Sequence, residues 1–228
     1  MKILIACEES QAVCMAFRKL GHEEHIPFAV NSVMCTVNRI KFAVTVYQRK
    51  NITHYMPFGV TARAFLQITA VLIAHPPCTY LSNAGAARLY KKINGKSYVE
   101  LDRLSKGLKA KEFFHAFLSA DCPHIAVENP IPSGVYMLPK YTQIIQPYQF
   151  GHPYSKKTCL WLKGLPNLTP TNIVDPICSW VSGGSKKSDG SPRTNCGMKF
   201  RDSKTKSKTF PGIALAMAEQ WGGISDEN

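Results

Sequence analysis

Acidic residues are conspicuously missing from one part of this chain. From His25 to Val99 there is no Asp or Glu in 75 consecutive positions, although the 228 residues include 15 acids. Residues 25–70 also lack clear helix caps or a sustained period of 2 or 3.6. They read either as a divergent strand–helix pair or as sequence out of its ancestral frame between two well-formed flanks. No stretch approaches the roughly 18–20 continuous apolar residues of a membrane span. The apolar start Met1–Ala6 is interrupted by Glu8 and Glu9, too early for an export signal, so a first β-strand of a cytoplasmic protein is expected. The eight cysteines form no C-x-x-C pair, and a disulfide framework belongs to small secreted chains. A zinc site from His152, Cys159, Cys178 and Cys196 would need spacings that fit no common finger. Buried or unpaired thiols, and no metal, are the expectation.

What the chain does have is positive charge. The net charge of +13 suggests a polyanionic partner. Part of the excess lies in Lys186, Lys187, Arg193 and the run Lys199 to Lys208, within residues 167–209, which are rich in Pro, Gly, Ser, Thr and Lys. These read as a short basic insertion, either a recognition loop or a solvated one. The remainder, 1–166 and 210–228, is long enough for one core.

The periodic segments alternate. Ile3–Ala6 reads as a strand, with Ser10 as N-cap of a helix carrying Val13, Ala16, Phe17 and Leu20, and Gly21 as its stop. Val71–Ala74 and Ile125–Val127 read as buried strands. Residues 100–119 read as one or two helices, Cys159–Leu162 as a strand, and Pro211 to Gln220 as a helix. Strand–helix alternation predicts an α/β fold with a mostly parallel sheet and ligands beyond the carboxyl ends of its strands.

Two motifs follow the buried strands. His75-Pro76-Pro77-Cys78 comes after Val71–Ala74, and Glu128-Asn129-Pro130 comes after Ile125–Val127. A thiolate that adds to carbon 6 of a pyrimidine makes carbon 5 nucleophilic, and an acid must neutralise the charge pushed onto N3. Cys78 is the candidate nucleophile and Glu128 the candidate N3 partner. The prolines would stiffen the thiol loop, and Asn129 and Pro130 would hold the carboxylate loop. His75 reads equally well as a pocket residue or a structural one. Trp161, Phe113 and Phe117 read as core, and His152 as a turn residue.

On these motifs the chain resembles the DNA (cytosine-5) methyltransferase family, in a small divergent form like those of phages and mobile elements. Pro76-Pro77-Cys78 matches the family's nucleophile motif, and Glu128-Asn129-Pro130 is similar to its Glu-Asn-Val/Pro motif. Phe150 to Thr158 resembles the later Tyr-Gly-x-Pro-Gln-x-Arg-x-Arg block, with Lys156 and Lys157 in place of arginines. Pro211 to Gly222 is similar in position to the C-terminal cofactor-side helix. The resemblance implies a Rossmann-like fold, S-adenosylmethionine as cofactor and cytosine in DNA as substrate. It places the cofactor at Cys7, Glu8, Glu9, Ser10 and Pro76, and the substrate at Asn129, Pro130, Lys156 and Lys157. Glu8-Glu9-Ser10-Gln11 departs from the family's Gly-rich first loop, and Glu23 and Glu24 lie early for the ribose-binding acid.

Two other readings stand beside this one. The acid-free stretch motivates a degenerate, inactive methyltransferase fold that binds nucleic acid. An amino-methyltransferase would need Asp/Asn-Pro-Pro-aromatic, and His75-Pro76-Pro77-Cys78 supplies neither end.

Overall fold

The computed structural model describes residues 2–8, 10–21, 33–37, 40–48, 71–180 and 207–223. Its centre is three short strands, β1 (Lys2–Ala6), β4 (Val71–Ala74) and β7 (His124–Pro130). β4 runs parallel to both neighbours, with Ala74 in register with Ala6 on one side and Val127 on the other. Strands buried on both faces read as continuous apolar runs, and all four β4 residues are buried.

The flanks are antiparallel. β2 (Val33–Val37) and β3 (Ile40–Gln48) pair with each other, and β3 continues onto β1. Only two residues separate β2 from β3, which leaves room for a hairpin and not for a crossover. On the far side β10 (Thr158–Lys163) lies between β7 and β8 (Gln143–Ile145), antiparallel to both. The expected mostly parallel sheet is therefore parallel only at its core, in a mixed sheet of order β2-β3-β1-β4-β7-β10-β8. Of the expected strand–helix pair in 25–70, two strands are seen, and the rest lies outside the described residues.

Helices cover both faces. α1 (Ala12–Lys19) and α4 (Pro211–Trp221) pack together over Ile3, Ile5, Ile73 and Ala126. α3 (Leu101–Leu118) is one continuous helix that buries Phe114 and Phe117 against Leu72, Val127 and Trp161 on the other face. Trp161 is core as expected, with its ring 4.9 Å from Phe114 and its indole N–H donating to Pro139 O at 2.8 Å. α1 ends where Gly21 takes a φ of 80°, an angle glycine adopts without strain. Leu20, expected on the buried face, is 40% exposed at the C-cap. Among the described residues no helix is long and apolar enough to cross a membrane.

The short helix α2 (Asn83–Ala86) leads into an exposed hairpin of β5 (Tyr90–Ile93) and β6 (Lys96–Val99). Its turn is Asn94-Gly95, both at positive φ, the geometry that matches strand twist in a two-residue hairpin. The proposed insertion does not begin as a free loop. Leu168 is buried, its backbone N–H and C=O both pair with the Gln143 amide at 2.8 Å, and Thr169 pairs twice with Gln220 at 2.8 Å. Two short strands, β9 (Tyr154–Ser155) and β11 (Cys178–Ser179), tie its first part back to the domain. Residues 181–206, with most of the basic run, lie outside the described residues.

Candidate active site

The register of β4 and β7 brings the two motifs together. Ala74 pairs with Val127, so the next residues along, His75 and Glu128, fall side by side at the carboxyl end of the sheet. Their side chains form an ion pair, His75 Nδ1 to Glu128 Oε2 at 2.7 Å, with 8% and 13% of the side chains exposed. One residue further, Asn129 turns to the opposite face, where Nδ2 donates to Pro76 O at 2.9 Å. The Glu128 motif is not a loop after the strand, as the sequence suggested. β7 runs through Pro130, because β10 supplies an antiparallel partner for all three motif residues.

The chain after Cys78 is laced to the chain after Glu128. Ser82 N–H donates to Cys78 O at 3.1 Å, Asn83 N–H to Ile131 O at 3.1 Å and Ser133 N–H to Leu81 O at 2.8 Å. Arg103 of α3 adds a clamp, donating to Thr79 O and Gly85 O at 3.1 and 2.9 Å beneath the Tyr80 ring. Cys78 and Glu128 are thus held on one connected edge. Pro76 is buried and Pro77 exposed.

Charge sets the chemistry of this edge. Burial pushes the Glu128 carboxyl up, but the hydrogen bond and charge of His75, with Lys156 behind them, bring it below the usual carboxylate range. Burial likewise pushes His75 down, and the Glu128 hydrogen bond and charge, with Glu8 adding and Lys156 opposing, carry it above its ordinary value. Each partner therefore favours the charged form of the other. Cys78 is raised, first by burial and then by the Glu128 charge, against smaller downward effects of its own backbone hydrogen bond and of Lys156. In this state the thiol keeps its proton, and a thiol nucleophile must lose it.

The predicted lysines part company. Lys156 is buried, its Nζ donating to Lys208 O at 3.3 Å and lying 5.9 Å from the Phe210 ring centroid. Lys157 is exposed. Glu128, Lys156, Thr158, Thr209, Phe210 and Ile213 line a small, partly open cleft. Cys78 does not line it. Pro130 is half-buried opposite Thr158.

The loop after β1 is shaped by Glu8. Its Oε1 accepts from Val13 N–H at 3.1 Å and from Ser10 Oγ at 2.6 Å, and its Oε2 accepts from Cys14 N–H at 3.2 Å. Glu8 thus satisfies two orphan donors of α1, and Ser10 is not the N-cap: Gln11 holds that position at a φ of 55°. Cys7 also has positive φ, at 60°, and burial pushes its thiol up to about 12. Glu9 lies outside the described residues.

Two histidines carry roles that sequence reading did not assign. His75 needed the strand register to be found. His152 is more than a turn residue: its Nε2 accepts from Gly212 N–H at 3.0 Å, capping α4 beside the cleft. Of the four residues weighed for a zinc site, Cys196 lies outside the described residues, and the disulfide at Cys178 departs from the expected unpaired thiols. Cys159 is buried in β10, Cys178 is disulfide-bonded, and no group of three or more metal-binding side chains occurs among the described residues. Compared with protein families, curated proteins and solved structures, the chain matches none.

Proposed function

We propose that the chain transfers a methyl group from S-adenosylmethionine to carbon 5 of cytosine in DNA. The observation that carries this reading is the juxtaposition of Cys78 and Glu128 at the carboxyl ends of adjacent parallel strands, laced together and electrostatically coupled. Ligands of α/β sheets bind at such ends. Cys78 Sγ would form a bond to ring carbon 6 and release its proton to solvent. The displaced π pair would reach N3 and take a proton that Glu128, ionised in the resting site, would first accept from solvent, so that the base gains no net charge. A duplex base would have to leave its stack to meet them.

Cys7, Glu8 and Ser10 form an acidic loop at the end of β1, a setting that suits a donor with a positive sulfonium. When bound, that donor supplies an electrophilic methyl group. The hairpin β5–β6 follows the Cys78 loop directly and exposes Lys91, Lys92 and Lys96 with Tyr90 and Tyr98, which supports contact with a nucleic-acid backbone.

A second reading is a fold that binds nucleic acid without catalysis. The raised Cys78 thiol favours it. Incubation with methyl-labelled cofactor and DNA separates the two. Label on carbon 5 that disappears in Cys78→Ala supports the enzyme, label that survives that substitution removes the thiol mechanism, and DNA binding without label supports the second reading.

A further inference from the structure

His75 belongs to neither catalytic role, yet it lies between all the charged groups of the edge. Its Nδ1 holds Glu128 at 2.7 Å, its backbone N–H extends the β1–β4 ladder by donating to Ala6 O at 2.9 Å, and it stands in a buried position. Its Nε2 is buried with no hydrogen-bond partner among the described residues. A buried histidine with one nitrogen left unsatisfied costs free energy, so a hydrophobic residue would serve a purely structural role better. The ion pair is what the histidine contributes.

We propose that His75 is a positioning residue that fixes Glu128 as a carboxylate on the edge that carries Cys78, where its charge adds to burial in opposing ionisation of the thiol. The inference rests on the site reading above in treating Cys78 and Glu128 as partners, but it does not require methyl transfer. The groups facing this cluster are Glu8 from the loop after β1, Glu128 from β7 and Lys156 from the segment before β10. Lys156 acts on Glu128 through its charge, as the smallest of the favourable effects, while its ammonium donates to Lys208 O. Without His75 the buried carboxyl would have lost its one side-chain hydrogen-bond donor among the described residues, and burial would favour its neutral form. Its charge would then no longer oppose ionisation of the thiol.

The test is the pH dependence of Cys78 alkylation by iodoacetamide, read at the Cys78 peptide by mass spectrometry in the full chain. Glu128→Gln should move the profile to lower pH by about one unit, the scale of a lost like-charge neighbour. His75→Gln should move it in the same direction, and the double variant should match either single one. A His75→Gln profile that is unchanged or shifts to higher pH, or a double variant that sums the two shifts, would overturn the proposal. Should His75→Gln fail to fold, imidazole nitrogen NMR of the wild-type chain decides: a His75 ring protonated on both nitrogens at pH 7 supports the proposal, and a neutral ring sinks it. Loss of methyl transfer with these shifts intact would refute the proposed enzyme and leave this coupling standing.

Discussion

Asn129 and Pro76 join the two motif-bearing segments through one buried hydrogen bond, Nδ2 to carbonyl O at 2.9 Å. The amide is 1% exposed, so the carbonyl it serves has no water to turn to. Asn129→Ala should destabilise the fold by about 1–3 kcal/mol, the penalty of stranding a buried acceptor. Denaturant unfolding monitored by tryptophan fluorescence would read it. A change below about 0.5 kcal/mol would mean that the segment finds another partner.

The His75–Glu128 pair predicts a stability window. Glu128 is lowered, so its contribution is complete above the ordinary carboxyl value of 4.5 and is lost as pH falls through the depressed value. His75 is raised, so its contribution is complete below 6.5 and is lost as pH rises through the elevated value. The pair stabilises fully only between those two ordinary values. Melting temperatures of wild type across pH 3 to 9 should exceed those of His75→Gln/Glu128→Gln by the widest margin near pH 5 to 6. A difference that stays constant with pH would show that the pair is not charged.

His152 should act in the opposite direction. Burial lowers it, and only its unprotonated Nε2 can accept from Gly212 N–H. Its stabilising effect is complete above 6.5 and is lost as pH falls through the lowered value. His152→Ala should cost about 0.5–2 kcal/mol, as other helix caps do. Gly212→Ala should also destabilise, by about 1–3 kcal/mol, because a Cβ there would run into Phe150 O. Thermal melts at pH 7.5 and pH 5 check both, with the His152→Ala deficit expected to be smaller at pH 5.

The hairpin offers a test that leaves the core untouched. All eight of its strand residues are exposed, and Lys91 meets Glu100 only at 3.9 Å. Replacing Lys91, Lys92 and Lys96 by Gln should leave the melting temperature within about 1–2 °C, since surface changes rarely matter more. DNA affinity should fall, and the slope of log K against log salt should become shallower by about one for each lysine that contacted phosphate. An unchanged slope would place the nucleic-acid contact elsewhere.

The strands and helices that were legible in the sequence are those with an uninterrupted local pattern. Val71–Ala74 and Ile125–Val127 are short apolar runs, and α1 is bounded by Gly21, so neither needs long-range information. The hairpin is hard to read from the sequence although Asn94-Gly95 is a strong turn signal, because its strands do not alternate apolar and polar residues. The ion pair was invisible for a different reason. His75 and Glu128 are 53 residues apart and meet only because β4 and β7 are adjacent and in a particular register. The split fates of Lys156 and Lys157 follow from which side of the chain turns inward between β9 and β10. Antiparallel flanks likewise follow from pairing partners that no window of residues displays.

Glu8 gives the first helix a chemical preference. Because its carboxylate already engages the amides of Val13 and Cys14, the electropositive tip of α1 has no vacancy for an anion. A pyrophosphate brought there would face repulsion and find its natural donors taken, whereas a cationic or neutral molecule would not. The opening turn of the chain thus disfavours an anion on charge and on hydrogen-bonding grounds alike.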